Sequence, residues 1–482
     1  MIKKRMTFDY SPRTIPMHHQ IDASRFIIDR EWAALFDEQG LGKTKIVIDA
    51  LAQMFASQKI QGAIVICKKS LLKTWEHEIV KHSHLKSVVL TGSKRQKGLK
   101  FMWFAHFYLL NYDLVHSELE RLKGFLSTRP MAIVLDESQR IKNPESRAAE
   151  AILQLQSLAA RRYIITGTPI GNCPQDIWTQ VYFLDGGASL GATMGDFLHR
   201  YNIQAQPHRE PFLDPTGLSH LRDDLAVFSM RRRKNEVLEL PEKTFETHEV
   251  SLESTQQIMY DRLRQELQLE ITNLAGDQII DNAENILKRM LRLVEIASNP
   301  KLIDSGYEAV PAKFVLLDAL LKEIIERGEK AIVWTSFVGN IRTLKKRYQE
   351  FGSEAIYGAI PIEARDKLVT QFQESSAIRI LVANPAAARE GLTLTAANHA
   401  IYLDRNFNLI DYLQSQDRIH RISQQKKAHI HNLIARGTID GYIEDVVYRK
   451  QMISEFIYGD KQNLEQLPQT FTREEVLRLL GH

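Results

Sequence analysis

Short, continuous apolar runs recur along the 482 residues, each followed by a polar or glycine-rich turn and then by helically spaced hydrophobic positions. Ala63–Cys67 (AIVIC), Ala132–Leu135 (AIVL) and Tyr163–Ile165 (YII) lie in the first half. Ala331–Trp334 (AIVW), Ile378–Val382 (IRILV) and His399–Leu403 (HAIYL) lie in the second. Ile/Val-rich runs without alternation suit parallel strands covered on both faces, and the helices between them suit right-handed crossovers. The pattern predicts an α/β protein of two lobes, each built on a parallel sheet. Between the lobes, Ser254–Leu274 and Asp281–Ile296 place apolar residues at three- and four-residue spacing among Glu and Arg. The expected divisions are 1–180 for the first lobe and 181–304 for helical protrusions and a linker, then 305–450 for the second lobe and 451–482 for a C-terminal brace.

Composition narrows this picture by exclusion. Hydrophobic residues make up 44% and charged residues 25%, the balance of a globular chain and not of a disordered one. Lys and Arg number 63 against 59 Asp and Glu, a net +4 that excludes a uniformly basic coat but leaves room for a local basic groove. Two cysteines, Cys67 and Cys173, build neither a disulfide framework nor a four-cysteine zinc site, and they fit a reducing, cytoplasmic setting. Asp9, Pro12, Arg13 and Pro16 stand where a signal peptide needs its apolar run. Phe101–Leu110 (FMWFAHFYLL) is too short to cross a bilayer and is expected as a buried strand, so no membrane role is expected. His429 and His431 alternate on an expected strand, and His77, His82 and His84 fall in a helix and its loop. Without cysteine partners, these histidines predict no zinc.

The chemistry begins at Gly40-Leu41-Gly42-Lys43-Thr44, which opens a helical run. Closely spaced glycines let backbone N–H groups curl around phosphate oxygens, the lysine neutralises the β/γ phosphates, and the threonine hydroxyl can ligate Mg2+. A full phosphate-loop pattern asks for glycine at position 37, where this chain has Asp37. Downstream, the strand Ala132–Leu135 delivers Asp136 and Glu137 to its C-terminal end, where α/β sheets bind ligands. Asp136 is the candidate Mg2+ ligand, together with Thr44, and Glu137 the candidate base for an attacking water. Thr166-Gly167-Thr168-Pro169 reads, by itself, as a strand-ending turn. Arg418 and Arg421, spaced i and i+3 in QSQDRIHR, would share one helix face and could reach a triphosphate; alone they read rather as a solvated pair, the commoner fate of such a pair.

Taken together and in order, these segments resemble the Swi/Snf-type ATPases of helicase superfamily 2. Gln20 stands where that family reads adenine, and Asp37–Thr44 (DEQGLGKT) differs from the family's DEMGLGKT only at Gln39. Ile66–Ile79 is similar to segment Ia, and Leu110-Asn111-Tyr112 to Ib. Asp136–Asn143 (DESQRIKN) is similar to DEAHRIKN, and Thr166–Asn172 (TGTPIGN) to TGTPIQN. Met230–Pro241, Ser298-Asn299-Pro300, Glu390–Ala396 (EGLTLTA) and Gln414–Gln424 complete the series. The resemblance implies two RecA-like lobes with ATP in the cleft between them. Catalysis would then rest on Lys43, Asp136, Glu137, Arg418 and Arg421, with Gln20, Gly40, Gly42, Lys43, Thr44, Gly391 and the two arginines around the nucleotide.

The resemblance also implies a duplex-DNA channel. Its candidate contacts are Lys68, Lys69, Ser70 and Lys73 in Ia, Asn111 and Tyr112 in Ib, Ser336 and Phe337 in the second lobe, and Thr393 and Thr395 in EGLTLTA. Lysines there would neutralise phosphates without reading bases. The expected activity is an ATP- and Mg2+-dependent translocase of double-stranded DNA that remodels or displaces bound protein, targeted by a protein partner, in a bacterial or phage-infected cell. Two alternatives stay open: a strand-separating DNA or RNA helicase, and a slow nucleotide-gated scaffold. The second is motivated by Ser138-Gln139 in place of Ala-His.

Overall fold

The computed structural model describes residues 11–204, 212–273, 283–387 and 392–461. The chain divides into two compact units. Among the described residues the first takes 11–204, 213–239 and 453–461, and the second takes 212, 240–273, 283–387 and 392–452. The stretch 181–304, expected to stand apart between the lobes, is thereby shared out. Apart from Phe212, the described residues up to Glu239 pack with the first unit and those from Leu240 with the second. The C-terminal residues from Ile453 return to the first.

In the first unit the strands are β1 (Trp32–Leu35), β2 (Gly62–Cys67), β3 (Ser87–Val89), β4 (Phe107–Asn111), β5 (Met131–Asp136) and β6 (Arg161–Ile165). A two-stranded ribbon, β7 (Ile203–Gln204) and β8 (Phe212–Leu213), precedes β9 (Ser229–Met230). The main sheet runs β3-β4-β2-β5-β6-β1-β9, and every pair in it is parallel. Every residue of β2 and β5 is buried, as their unalternating apolar runs predict. Helices α1 (His18–Ile28), α2 (Lys43–Ala56) and α3 (Leu72–His82) supply Ala23, Ile27, Ile46, Leu51, Trp75 and Ile79 to one core with Val65, Leu109, Val134 and Ile165 of the sheet.

The run Phe101–Leu110 departs from its expectation. It holds the end of the helix Lys94–Met102, an exposed corner at Trp103 and Phe104, and only then β4. Lys100 Nζ holds the carbonyls of Val89 and Thr91 at 2.8 and 3.0 Å, and strand pairing with Ala63 begins at Phe107. Apolar content alone does not separate a helix end from a strand.

In the second unit β10 (Lys243–Val250), β11 (Ala331–Trp334), β12 (Ser353–Ile356), β13 (Ile380–Ala383), β14 (His399–Tyr402) and β15 (Ala428–Ala435) form a parallel sheet, β10-β15-β14-β11-β13-β12. Two apolar cores flank it. One takes Tyr260, Leu267, Leu293 and Val294 from the helices Ser254–Asn273 and Ala283–Ser298 against Trp334, Leu381 and Ile430. The other takes Phe314, Leu317, Leu321 and Ile341 against Val333, Val382, Ile401 and Leu433. No helix among the described residues is long and apolar enough to cross a membrane.

Candidate nucleotide-binding and hydrolysis site

The loop after β1 turns on two glycines, Gly40 (φ 90°) and Gly42 (φ 79°), in the left-handed region. Gly42 caps α2, so the first N–H groups of that helix have no carbonyl of their own turn to bond and face outward from its start. A side chain at 42 would meet Gln20 Nε2 at 2.4 Å. Gln20, on α1, is therefore seated directly on the glycine loop, with its Oε1 accepting from Met17 N at 3.0 Å. Lys43 Nζ folds over the loop to the carbonyls of Asp37 (2.7 Å) and Glu38 (3.1 Å).

The turn Thr166–Pro169, silent when read alone, belongs to this loop. A Cβ on Gly167 would lie 2.8 Å from Gln39 Cγ and 3.4 Å from Lys43 Nζ. Buried around this contact, Gln39 Nε2 and Thr168 Oγ1 have no hydrogen-bond partner. Donors left unsatisfied beside a lysine and a helix N-terminus fit a polyanionic ligand such as a triphosphate.

Asp37, at the place of the missing glycine, is fully buried and paired with the Arg232 guanidinium, whose Nε donates to Oδ1 at 3.0 Å. Arg232 also bonds the His19 carbonyl. Glu38 accepts from Lys234 N at 2.7 Å. Asp37 and Glu38 thus tie the glycine loop to the segment after β9, and Arg231 and Arg232 brace the first unit, whereas Arg233 pairs with Glu236 in its own turn.

β5 ends at Asp136, and Glu137 then adopts φ 54°, ψ 53°, a left-handed backbone that costs a non-glycine residue about 1–2 kcal/mol. Such strain is characteristic of functional positions. Trp75 Nε1 donates to Asp136 Oδ2 at 2.7 Å, and Tyr112 Oη donates to the Asp136 carbonyl at 2.9 Å. Burial, and then the Glu137 charge, push the Asp136 carboxyl up to about 6; the Trp75 N–H, Lys43 and Lys68 pull the other way. Gln139 Nε2 donates to Glu137 Oε2 at 2.5 Å. Ser138 Oγ donates to Gln180 Oε1 at 2.7 Å, and Gln180 Nε2 reaches the Pro169 carbonyl at 2.8 Å, linking the carboxylate turn to Thr166–Pro169.

The first unit therefore brings together Gln20, Gly40, Gly42, Lys43, Thr44, Asp136 and Glu137. Neither the Trp75 bond nor the Gln180 bond to this site was read from the sequence. Their partners are 61 and 42 residues away, a relation with no local signature.

The DNA candidates of this unit separate. Lys69 and Lys73 are exposed, with Lys68 and Ser70 half-buried, on the turn and first residues of α3 after β2. Asn111 and Tyr112 do not join them. Asn111 is buried with its Oδ1 capping Leu114 N at 3.1 Å, and the buried Tyr112 hydroxyl is committed to Asp136. Both side chains thus bond the backbone at the ends of β4 and β5.

In the second unit, Arg418 and Arg421 do not lie on a helix. The helix Leu409–Gln416 stops before them, and both sit in the turns that follow. Gln424 holds those turns, its Nε2 reaching the carbonyls of Ile419, Ala397 and Thr395 at 2.8, 2.9 and 3.2 Å. Arg418 Nη1 donates to Leu392 O at 3.4 Å, and Arg421 Nη1 to Thr393 Oγ1 at 3.0 Å. Burial pulls Arg421 below its ordinary value. Both arginines are thus joined to the EGLTLTA segment, of which Glu390 and Gly391 lie outside the described residues. Thr395 Oγ1 shares a 2.9 Å bond with Ser423 Oγ. Ser336 N donates to Asp404 Oδ1 at 2.7 Å while the buried Ser336 Oγ has no partner, and Phe337 is packed against the core.

The family model described as SNF2-related domain matches residues 19–302, and that of the helicase conserved C-terminal domain matches 313–423. The chain is 30% identical over 454 residues to "Putative ATP-dependent helicase/translocase YwqA" of Bacillus subtilis, covering 90% of this chain and 47% of that protein. It is 27% identical to "Chromodomain-helicase-DNA-binding protein 1-like" of Danio rerio, covering 90% of this chain and 42% of that one. The chain thus spans less than half the length of these relatives. Among solved structures it is similar to the Sulfolobus solfataricus SWI2/SNF2 ATPase core in complex with dsDNA, with 24% identity, TM-score 0.45, and 94% of this chain and 95% of that chain covered. With more than half of its length matched by the first of these models, the chain belongs to the SNF2-related family.

Proposed function

We propose that this chain is a DNA-dependent ATPase that translocates along double-stranded DNA. The observation that carries the reading is the convergence, in one unit, of Lys43 and the α2 N-terminus with the Asp136–Glu137 pair. In this reading, Lys43 and the N–H groups at the start of α2 bind the phosphates, and Gln20 positions the base beside Gly42. Thr44 and Asp136 would hold Mg2+, which when bound neutralises charge on the phosphate oxygens. Trp75 fixes the Asp136 carboxylate, and Glu137, held by Gln139, orients water and takes its proton as the γ-phosphoryl bond breaks. Arg418 and Arg421 would balance the charge of the leaving phosphate, with Gly391 near the nucleotide.

Family membership and the helicase/translocase name of the Bacillus subtilis relative support a moving ATPase. On the DNA side the exposed Lys69 and Lys73, with Lys68 and Ser70, suit phosphate contacts, and Ser336, Phe337, Thr393 and Thr395 are the proposed contacts of the second unit. Displacement of bound protein, and a partner that selects the target, follow from the same reading.

Phosphate release measured with and without duplex DNA tests it. We expect DNA stimulation, and a Glu137→Gln variant that binds nucleotide but turns over about 10²–10⁴-fold more slowly. Equal rates for variant and wild type would refute the assignment. A triplex-displacement assay run beside an unwinding assay separates translocation from strand separation. The Gln139–Glu137 bond favours a second, slower reading, in which the base is held in check. A turnover on DNA well above background excludes it.

A further inference from the structure

Four imidazoles and two carboxylates converge on one face of the second sheet, a face otherwise apolar with Ile401, Leu403 and Leu433. The parallel register brings them there. Glu246 lies opposite His431, Thr244 opposite His429, and His399 opposite His429 across the next pair. His399 and His429 stack at 4.7 Å between centroids, and His399 and His431 at 5.3 Å.

Three atoms define a triangle. His248 Nε2 and His431 Nδ1 are 3.0 Å apart, Glu246 Oε2 lies 3.5 Å from His431 Nδ1, and it lies 3.7 Å from His248 Nε2. The two longer edges exceed hydrogen-bond length. All three bracket the roughly 3.4 Å ligand-to-ligand spacing of a tetrahedral zinc centre with bonds of roughly 2.1 Å. A point roughly 2 Å from every one of the three atoms therefore exists.

The surroundings orient the ligands. The Glu329 carboxylate accepts from His399 Nε2–H at 2.9 Å, which leaves His399 Nδ1 as an acceptor. His431 Nε2–H donates to that nitrogen at 3.0 Å, and the lone pair of His431 Nδ1 is thereby turned toward His248 and Glu246. A carboxylate–imidazole relay behind a ligating histidine is the outer support that metal sites use. The inner ligand His431 has a side chain 4% exposed, whereas those of His248 and Glu246 are 27% and 46% exposed. That gradient leaves a solvent side by which an ion enters and a water completes the shell.

We infer that Glu246, His248 and His431 form a site for one divalent transition metal of the zinc class, oriented by His399 and Glu329, which pins the edge strand β10 to β15. Neighbouring Cys ligands are not required, since two imidazoles and a carboxylate suffice for zinc. The site was invisible in the sequence because His248 and His431 are 183 residues apart.

The test uses the full chain, stripped with chelator and titrated with Co2+ in excess Mg2+, which keeps the nucleotide site out of the readout. One equivalent should bind with the visible absorption of tetrahedral Co2+, be displaced by Zn2+, and raise the melting temperature. His248→Ala and Glu246→Gln, both at partly exposed positions, should abolish the band while matching the wild-type circular dichroism without metal. Glu329→Gln should weaken binding about 10- to 100-fold. Absence of the band, or a band unchanged in both His248→Ala and Glu246→Gln, would overturn the site.

Discussion

Trp75 shows how one side chain serves two purposes. Its ring is buried in the core of the first unit, and its indole N–H ends on Asp136. Replacing it with Phe keeps the packing and removes a charge-assisted bond of about 1.5–3 kcal/mol. The acid limb of the pH–rate profile for ATP hydrolysis is expected to move up by about one pH unit in Trp75→Phe, and an unmoved limb would dissociate Trp75 from Asp136 chemistry. Asp136 itself carries a stability cost. Its folded value, about 6, stands above the ordinary 3.8, so its contribution is fully present below 3.8 and lost as pH rises through 6. Without nucleotide or Mg2+, Asp136→Asn should be more stable than wild type at pH 8 by on the order of 3 kcal/mol, the gap closing near pH 4. Denaturant melts at the two pH values decide it. Lys43, Asp136 and Glu137 were legible because glycine spacing and a strand-ending acid pair are local. Trp75 and Gln180 were not, because tertiary packing chooses their partners.

At the scale of elements, the buried strands were the clearest part of the sequence. Ala63–Cys67, Ala132–Leu135 and Ala331–Trp334 appear within β2, β5 and β11 nearly residue for residue, since two covered faces leave no polar position. Two readings failed where periodicity has no hold. The run Phe101–Leu110 straddles a helix end and a strand, and Arg418 and Arg421 occupy turns fixed by the distant Gln424 amide and not by helical spacing. The glycine loop is the most exacting element. Gly42→Ala meets the left-handed cost of about 1–2 kcal/mol and a collision with Gln20. A fluorescent ATP analogue should bind this variant at least tenfold more weakly. Wild-type affinity would show that Gln20 and the loop move independently.

For the whole molecule, the two-unit plan was legible, whereas the ownership of the segments between and after them was not. The sign of a charge does not disclose which unit it joins. Arg231, in the segment after β9, bonds both carboxylate oxygens of Asp460, and the Tyr458 hydroxyl donates to the Ile170 carbonyl at 3.0 Å. Both arginine and carboxylate are nearly buried, at 12% and 10% exposure. Asp460→Ala leaves the guanidinium without its carboxylate and should destabilise the first unit by about 3–5 kcal/mol. Calorimetry should show one transition lowered and the other unmoved; a uniform shift of both would contradict the assignment of residues 453–461 to the first unit.

That assignment sets an order of events during synthesis. A ribosome working from the N-terminus completes Glu239 and then makes more than two hundred further residues before Ile453 emerges. At roughly 5–20 residues per second the delay is on the order of 10–40 s. Throughout it Arg231 has no Asp460 and the Ile170 backbone has no Tyr458, while every residue that the second unit needs up to Met452 is made. The nascent nucleotide-binding half therefore waits, open at one seam, for residues 453–461. A message truncated anywhere inside the second unit would release a first unit that never closes, and cellular proteases would find it.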